Sequence, residues 1–383
     1  FQAEDGIRYV ERSRGLGDVY KRQITYLLAL ILFLVNFSSA NSYDSDQANE
    51  KNIWPQKEWL KSELDIKDVT DFEKFVNFTF SENSYNTLGR TNAVLVIKDG
   101  RIAFEKYNDP INEDTKLVSY SMAKSYIGLL TGIMLDRKYF QDIQQDNLLP
   151  GWQDNRKNIS INHLLNMQSG LDFVEQYNVD GRSDTLEMLF GEGRYDQALF
   201  ASTFKLKTPF PGMKYNYSTG ETNILSMLIK NNLEDRGISY YDFINENLIK
   251  KIGIYNTIFE FDESGTFIGG SSVFANARDY ARFGYLVLRE GEWDGEQIVS
   301  RDWIKKTKVP AKNTYGMYSN QFWLLHPAFT RGLPKDTIYC AGYGGQYILI
   351  IPSRNMVVVR LGETYFENDK VLENLSEMIN FFN

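Results

Sequence analysis

The chain has 383 residues, 43% of them apolar, and a formal charge of −8 from 42 basic and 50 acidic side chains. That length and apolar content fit one large globular domain or two smaller ones with a substantial core. An acidic balance without a long basic run argues against nucleic acid as a partner, because neutralising phosphates needs a basic patch.

Residues 1–23 resemble translated sequencing-adapter read-through and are read as foreign to the fold. The 14 residues from Ile24 to Phe37 are almost wholly apolar and lead into Ser38-Ser39-Ala40. They fall short of the roughly 20 residues a membrane-spanning helix needs. Residues 24–40 therefore read as a signal peptide, and the protein as exported, periplasmic or secreted. A membrane tether is expected only if this leader stays uncleaved. Residues 41–85 follow as a polar spacer and short helices, the helices between Trp54 and Phe80.

A hairpin is predicted next. Ala93–Lys98 and Arg101–Tyr107 are β-rich runs joined by Asp99-Gly100, a strong two-residue turn signal. A matching pair near the end runs from Gln346 to Ile351 and from Met356 to Leu361, around Pro352–Asn355, with an amphipathic helix over about 368–381. Between the pairs the pattern is mainly helical. The expected class is α+β: an antiparallel sheet built from both chain ends, flanked by helices, with a mainly helical subdomain inserted at about 115–270 of a domain covering 86–383.

Ser121-Met122-Ala123-Lys124 precedes an apolar run to Leu135, so Ser121 is placed at a helix N-terminus, where free N–H groups favour a developing oxyanion. Residues at i and i+3 share a helix face, so Lys124 can reach the Ser121 hydroxyl as its base. Ser202-Thr203-Phe204-Lys205 repeats the spacing but runs into Pro209, Pro211 and Gly212, which break a helix. His163 reads as a structural helix-start residue. With His326 the only other histidine, neither a Ser-His-Asp triad nor a zinc site is supported. Cys340, the single cysteine, allows no intramolecular disulfide and has no histidine partner nearby to make it a nucleophile.

A Ser-Lys enzyme also needs a proton relay and a second oxyanion donor. Tyr217, in Pro211–Gly220, and the glycine-rich Cys340–Gln346 stretch are candidates. From the residues alone, Tyr217 is equally a packed tyrosine and Gly342–Gly345 equally a turn.

In order and spacing these three clusters resemble the serine β-lactamase and penicillin-binding superfamily, and within it the 6-aminohexanoate-dimer hydrolase and esterase branch. The resemblance runs from about Thr91 to the C-terminus and includes His163–Phe173, Ala277–Gly284 and Gly291–Val299. It implies a β-lactamase/transpeptidase-like fold and a serine hydrolase cleaving a small ester or amide through an acyl-enzyme. Ser121 would be the nucleophile, Lys124 its base and Tyr217 the residue completing proton transfer. Backbone N–H groups of Ser121 and Tyr343 would form the oxyanion hole, while Tyr177, Gly342 and Gly344 would contact substrate. No metal or organic cofactor is implied.

Two departures stand out. Thr219 occupies the third position of a motif that usually reads Tyr-x-Asn, and Cys340-Ala341-Gly342 replaces a Lys- or His-led triplet. The lost cation would have paired with a substrate carboxylate, which argues against efficient penicillinase or carboxypeptidase activity. A β-lactamase or D-alanyl carboxypeptidase is the alternative enzyme, and a catalytically silent ligand-binding domain the alternative of another class. Tyr315, Tyr318, Phe322 and Trp323 are left open between pocket wall and core.

Overall fold

A computed structural model describes residues 53–177, 180–366 and 369–383. The adapter-like segment, the leader and the spacer up to residue 50 lie outside the described residues. The predicted hairpin forms as β1 (Arg90–Lys98) and β2 (Arg101–Tyr107), with Asp99 and Gly100 both at positive φ, as a tight two-residue turn demands. Three short strands, β3 (Leu117–Val118), β4 (Ile258–Phe259) and β5 (Val273–Ala275), make a small sheet in the order β3-β5-β4. A tiny hairpin, β6 (Glu292–Trp293) and β7 (Glu296–Gln297), follows.

The remaining strands are β8 (Tyr318–Ser319), β9 (Phe322–Leu324), β10 (Ile338–Gly342), β11 (Gln346–Ile351) and β12 (Met356–Glu363). Among the described residues the main sheet has seven strands in the order β2-β1-β12-β11-β10-β9-β8. Each neighbouring pair is antiparallel. The first and last strands meet inside it, with Val96 opposite Val358, so the sheet is built from both chain ends.

Its strands are apolar on both faces because both faces are covered. Leu95, Ile97, Ile348, Ile350, Val357 and Val359 join the larger core with the helices Ala123–Asp136 and Ala277–Leu288. Val94, Val96, Leu349, Ile351 and Val358 face the helices Val69–Thr79 and Lys370–Phe381. Alternation along a strand sends successive side chains to opposite faces, which divides the two sets.

The segment 53–68 departs from the helices expected there. It is irregular, and its backbone straps the outer edge of β2: Ser62 N–H donates to Ile102 O at 2.9 Å and Ile102 N–H to Leu60 O at 2.8 Å. An edge strand carries unpaired N–H and C=O groups, and covering them outweighs local helix preference. Helix starts only at Val69, where the Asp68 side chain accepts from Asp71 N–H.

Candidate active site

Ser121 lies in a single turn, Tyr120–Met122, that runs into the helix Ala123–Asp136. The backbone before it is held tightly. Ser119 N–H donates to Val273 O at 2.7 Å, and Val273 N–H returns to Ser119 Oγ at 3.1 Å. Between this anchor and the helix, Tyr120 adopts φ +45°, a left-handed conformation that costs a non-glycine residue of order 1–3 kcal/mol. The strain sits beside the candidate nucleophile and fixes the direction in which Ser121 leaves the chain.

Every helix residue from Ala123 to Met134 is buried, Lys124 among them at 1% exposure. A buried ammonium must be satisfied by hydrogen bonds. Lys124 Nζ lies 2.9 Å from Ser121 Oγ, 2.9 Å from Thr219 Oγ1 and 2.7 Å from Gly270 O. It also sits 5.0 Å from the centre of the Tyr217 ring. Burial pulls Lys124 down from the usual lysine range to about 8, against the Glu175 carboxylate, which raises it.

Tyr217 precedes the helix Thr219–Glu234, whose start is capped by Ser218 Oγ accepting from Glu221 N–H at 3.2 Å. Its ring packs against Trp323 at 5.2 Å and Tyr318 at 6.1 Å. Burial, with Glu175 adding to it, pushes the Tyr217 phenol well up, while hydrogen bonds to Ser121 and Trp323 pull the other way. Tyr217 is therefore a protonated donor at neutral pH. Tyr177 OH donates to Glu175 Oε1 at 2.7 Å, and its ring lies 4.9 Å from that of Tyr343.

Tyr343 follows the end of β10 in a turn drawn inward by its carbonyls. Gln346 Nε2 donates to Tyr343 O and Gly344 O, both at 3.1 Å, and Arg360 donates to Gly345 O at 2.7 Å. Gly342 abuts the Ser119 backbone, and Gly344 lies behind the turn against Tyr365. The structure thus gathers Ser121, Lys124, Tyr217, Tyr177 and the Tyr343 turn around one cleft. Beside them a pocket of about 520 Å³ is lined by Glu175, Tyr177, Asn216, Tyr217 and Lys207.

The other candidates take structural places. Ser202 ends a helix and donates to Leu199 O at 2.7 Å. His163 closes a capping box with Ser160. Burial pushes the Cys340 thiol up to about 12, so it holds its proton inside the core. Tyr318 and Phe322 are buried, Trp323 walls Tyr217, and Tyr315 is exposed. No cluster of three His, Cys, Asp or Glu side chains among the described residues could hold a metal ion.

Two participants, Gly270 and Glu175, carry no mark in the sequence reading, and Thr219 stands there only as a departure from Tyr-x-Asn. Gly270 supplies a carbonyl, Thr219 a hydroxyl, and Glu175 accepts from Thr219 N–H at 2.8 Å, Thr219 Oγ1 at 2.5 Å and Thr185 Oγ1 at 2.8 Å. The one local signal for Glu175 is a carboxylate within the otherwise neutral Phe173–Tyr177 stretch.

Comparison with known proteins identifies the family and the fold. The beta-lactamase family profile matches residues 89–375. A 6-aminohexanoate-dimer hydrolase of Paenarthrobacter ureafaciens is 22% identical over 295 residues, covering 71% of this chain and 72% of that protein. Among solved structures, a candidate 6-aminohexanoate-dimer hydrolase from Bacillus anthracis superposes with TM-score 0.68 at 19% identity, over 86% of this chain and 89% of that one. EstCE1, a hydrolase with promiscuous acyltransferase activity, gives TM-score 0.62 at 16% identity, over 81% and 99%. The chain belongs to the beta-lactamase family and is a hydrolase of the serine β-lactamase type.

Proposed function

We propose that the protein cleaves a small ester or amide through an acyl-enzyme on Ser121. The observation that carries this reading is the 2.9 Å contact between Ser121 Oγ and a buried Lys124 whose pKa is drawn down to about 8. A lysine in that state is partly free base near neutral pH and can take the hydroxyl proton.

In the first step Ser121 Oγ bonds to the substrate carbonyl carbon as its proton passes to Lys124. The carbonyl electrons move onto oxygen, facing the backbone N–H groups of Ser121 and Tyr343. Collapse breaks the bond to the alcohol or amine, which takes a proton through Tyr217, replenished from Lys124. Tyr177 stands beside the departing group. Water, deprotonated along the same route, then releases the acid and restores Ser121.

A β-lactam or stem-peptide substrate fits less well. Its carboxylate calls for a cation where this chain places the neutral, buried Cys340. Intact mass spectrometry after fluorophosphonate treatment tests the proposal. One adduct, absent from Ser121→Ala, is expected. An unmodified wild-type protein beside a labelled control hydrolase would overturn it, and nitrocefin turnover matching that of p-nitrophenyl esters would overturn the substrate preference.

A further inference from the structure

The hydrogens around Lys124 can be assigned from geometry, resting on the Ser-Lys reading above. A carboxylate oxygen and a peptide carbonyl only accept, whereas a threonine hydroxyl has one hydrogen to give. Thr219 Oγ1 lies 2.5 Å from Glu175 Oε1, so its hydrogen points there and its lone pairs face Lys124 Nζ at 2.9 Å. Gly270 O, at 2.7 Å, takes a second N–H from Lys124.

A neutral amine has two N–H bonds and one lone pair. With both N–H groups engaged by Thr219 and Gly270, the lone pair faces Ser121 Oγ, at 2.9 Å. Were Thr219 free to donate, its hydrogen could occupy that lone pair and leave Lys124 no base function. Glu175 prevents this. It is itself held by Thr219 N–H at 2.8 Å, Thr185 Oγ1 at 2.8 Å and Tyr177 OH at 2.7 Å, each a donor. Its partners therefore fix it as an acceptor.

We propose that Glu175 and Thr219 are positioning residues: Glu175 sets the direction of one hydroxyl hydrogen, and Thr219 thereby aims the Lys124 lone pair at Ser121. The pair acts on the base and not on substrate.

The test measures fluorophosphonate labelling of Ser121 and p-nitrophenyl butyrate hydrolysis against pH. The proteins are the wild type, Thr219→Ser, Thr219→Val, Glu175→Gln and the double variant Glu175→Gln/Thr219→Val. Thr219→Val is expected to lower the high-pH plateau by about 10- to 100-fold with KM nearly unchanged, and Thr219→Ser to stay within about threefold of wild type. Glu175→Gln is expected to lower the plateau comparably. It also moves the basic midpoint to lower pH, because the charge supporting protonated Lys124 is gone. Lys124, Thr185, Thr219, Tyr177 and Tyr217 face this carboxylate, and only Lys124 among them titrates in that range.

The double variant should be no slower than Thr219→Val alone, since Glu175 works through Thr219. A Thr219→Val enzyme with wild-type plateau and midpoint, or additive losses in the double variant, overturns the inference and leaves the hydrolase reading intact. Absence of labelling in the wild type overturns both. If circular dichroism shows Glu175→Gln unfolded, the Ser/Val contrast at 219 decides.

Discussion

Gly342 lies so close to Ser119 that a β-carbon on it would stand 2.1 Å from the Ser119 carbonyl oxygen. This contact joins the end of β10 to the backbone that presents Ser121, and only the lack of a side chain permits it. Gly342→Ala forces the two apart. The expected loss is about 1–3 kcal/mol of stability, as for overpacking elsewhere. Ester hydrolysis should fall by more than the unfolded fraction explains. Urea unfolding alongside labelling of Ser121 measures both, and wild-type labelling by a folded variant would contradict the expectation.

Lys124 predicts an unusual pH dependence of stability. Its folded pKa, about 8, lies below its ordinary value of 10.5. Between those values the unfolded chain binds more protons than the folded one, so stability rises with pH across that window and the full cost is felt below it. Lys124→Met removes this cost, about 3 kcal/mol for a shift from 10.5 to about 8, but leaves Gly270 O without its donor, which returns about 1 kcal/mol. The variant should be inactive yet more stable than wild type at pH 7, with the advantage shrinking towards pH 10. Melting temperatures at several pH values check the sign.

Arg360 is buried at 2% exposure and is spent on the backbone, donating to Leu88 O at 2.8 Å and Gly345 O at 2.7 Å, with Thr91 Oγ1 at 3.3 Å. Arg360→Met strands these acceptors and should cost about 2–4 kcal/mol. Arg360→Lys should rescue little, because one ammonium cannot replace the planar fork. Chemical denaturation of both variants measures this, and a lysine variant as stable as wild type would argue against it.

Tyr177 offers a test of leaving-group chemistry. Tyr177→Phe removes the hydroxyl that reaches Glu175 and keeps the ring against Tyr343. An amine leaving group needs a proton, whereas p-nitrophenolate does not. The expected outcome is a loss of about tenfold or more on anilide or short amide substrates, with activated esters changing by less than about threefold. Equal losses on both would assign Tyr177 to general binding.

What could be read from the sequence was local or strongly periodic. Asp99-Gly100 between apolar runs specifies its hairpin by turn chemistry alone, and Ser121 with Lys124 is one helical turn of spacing. The Glu175–Thr219 pair spans 44 residues and the Lys124–Gly270 contact 146, and neither has a local pattern. Segment 53–68 is not helical as its pattern suggests, because its neighbour on β2 is set by the finished sheet. Thr219 stands out in the sequence as a departure from Tyr-x-Asn, but its role depends on Glu175, which only the fold brings to it.

The pairing of β1 with β12 also governs when the protein can become itself. During synthesis the opening hairpin emerges early and must wait some 250 residues for its neighbour in the sheet. Until β10 arrives, Val273 can hold Ser119 but the Gly342 side stays open, and the nucleophile's turn lacks one wall. Such long-range closure is slow and exposes apolar strand edges in the meantime. A ribosome-stalled chain ending near residue 330 should therefore hold Ser121 and Lys124 in sequence, yet remain inert towards fluorophosphonate.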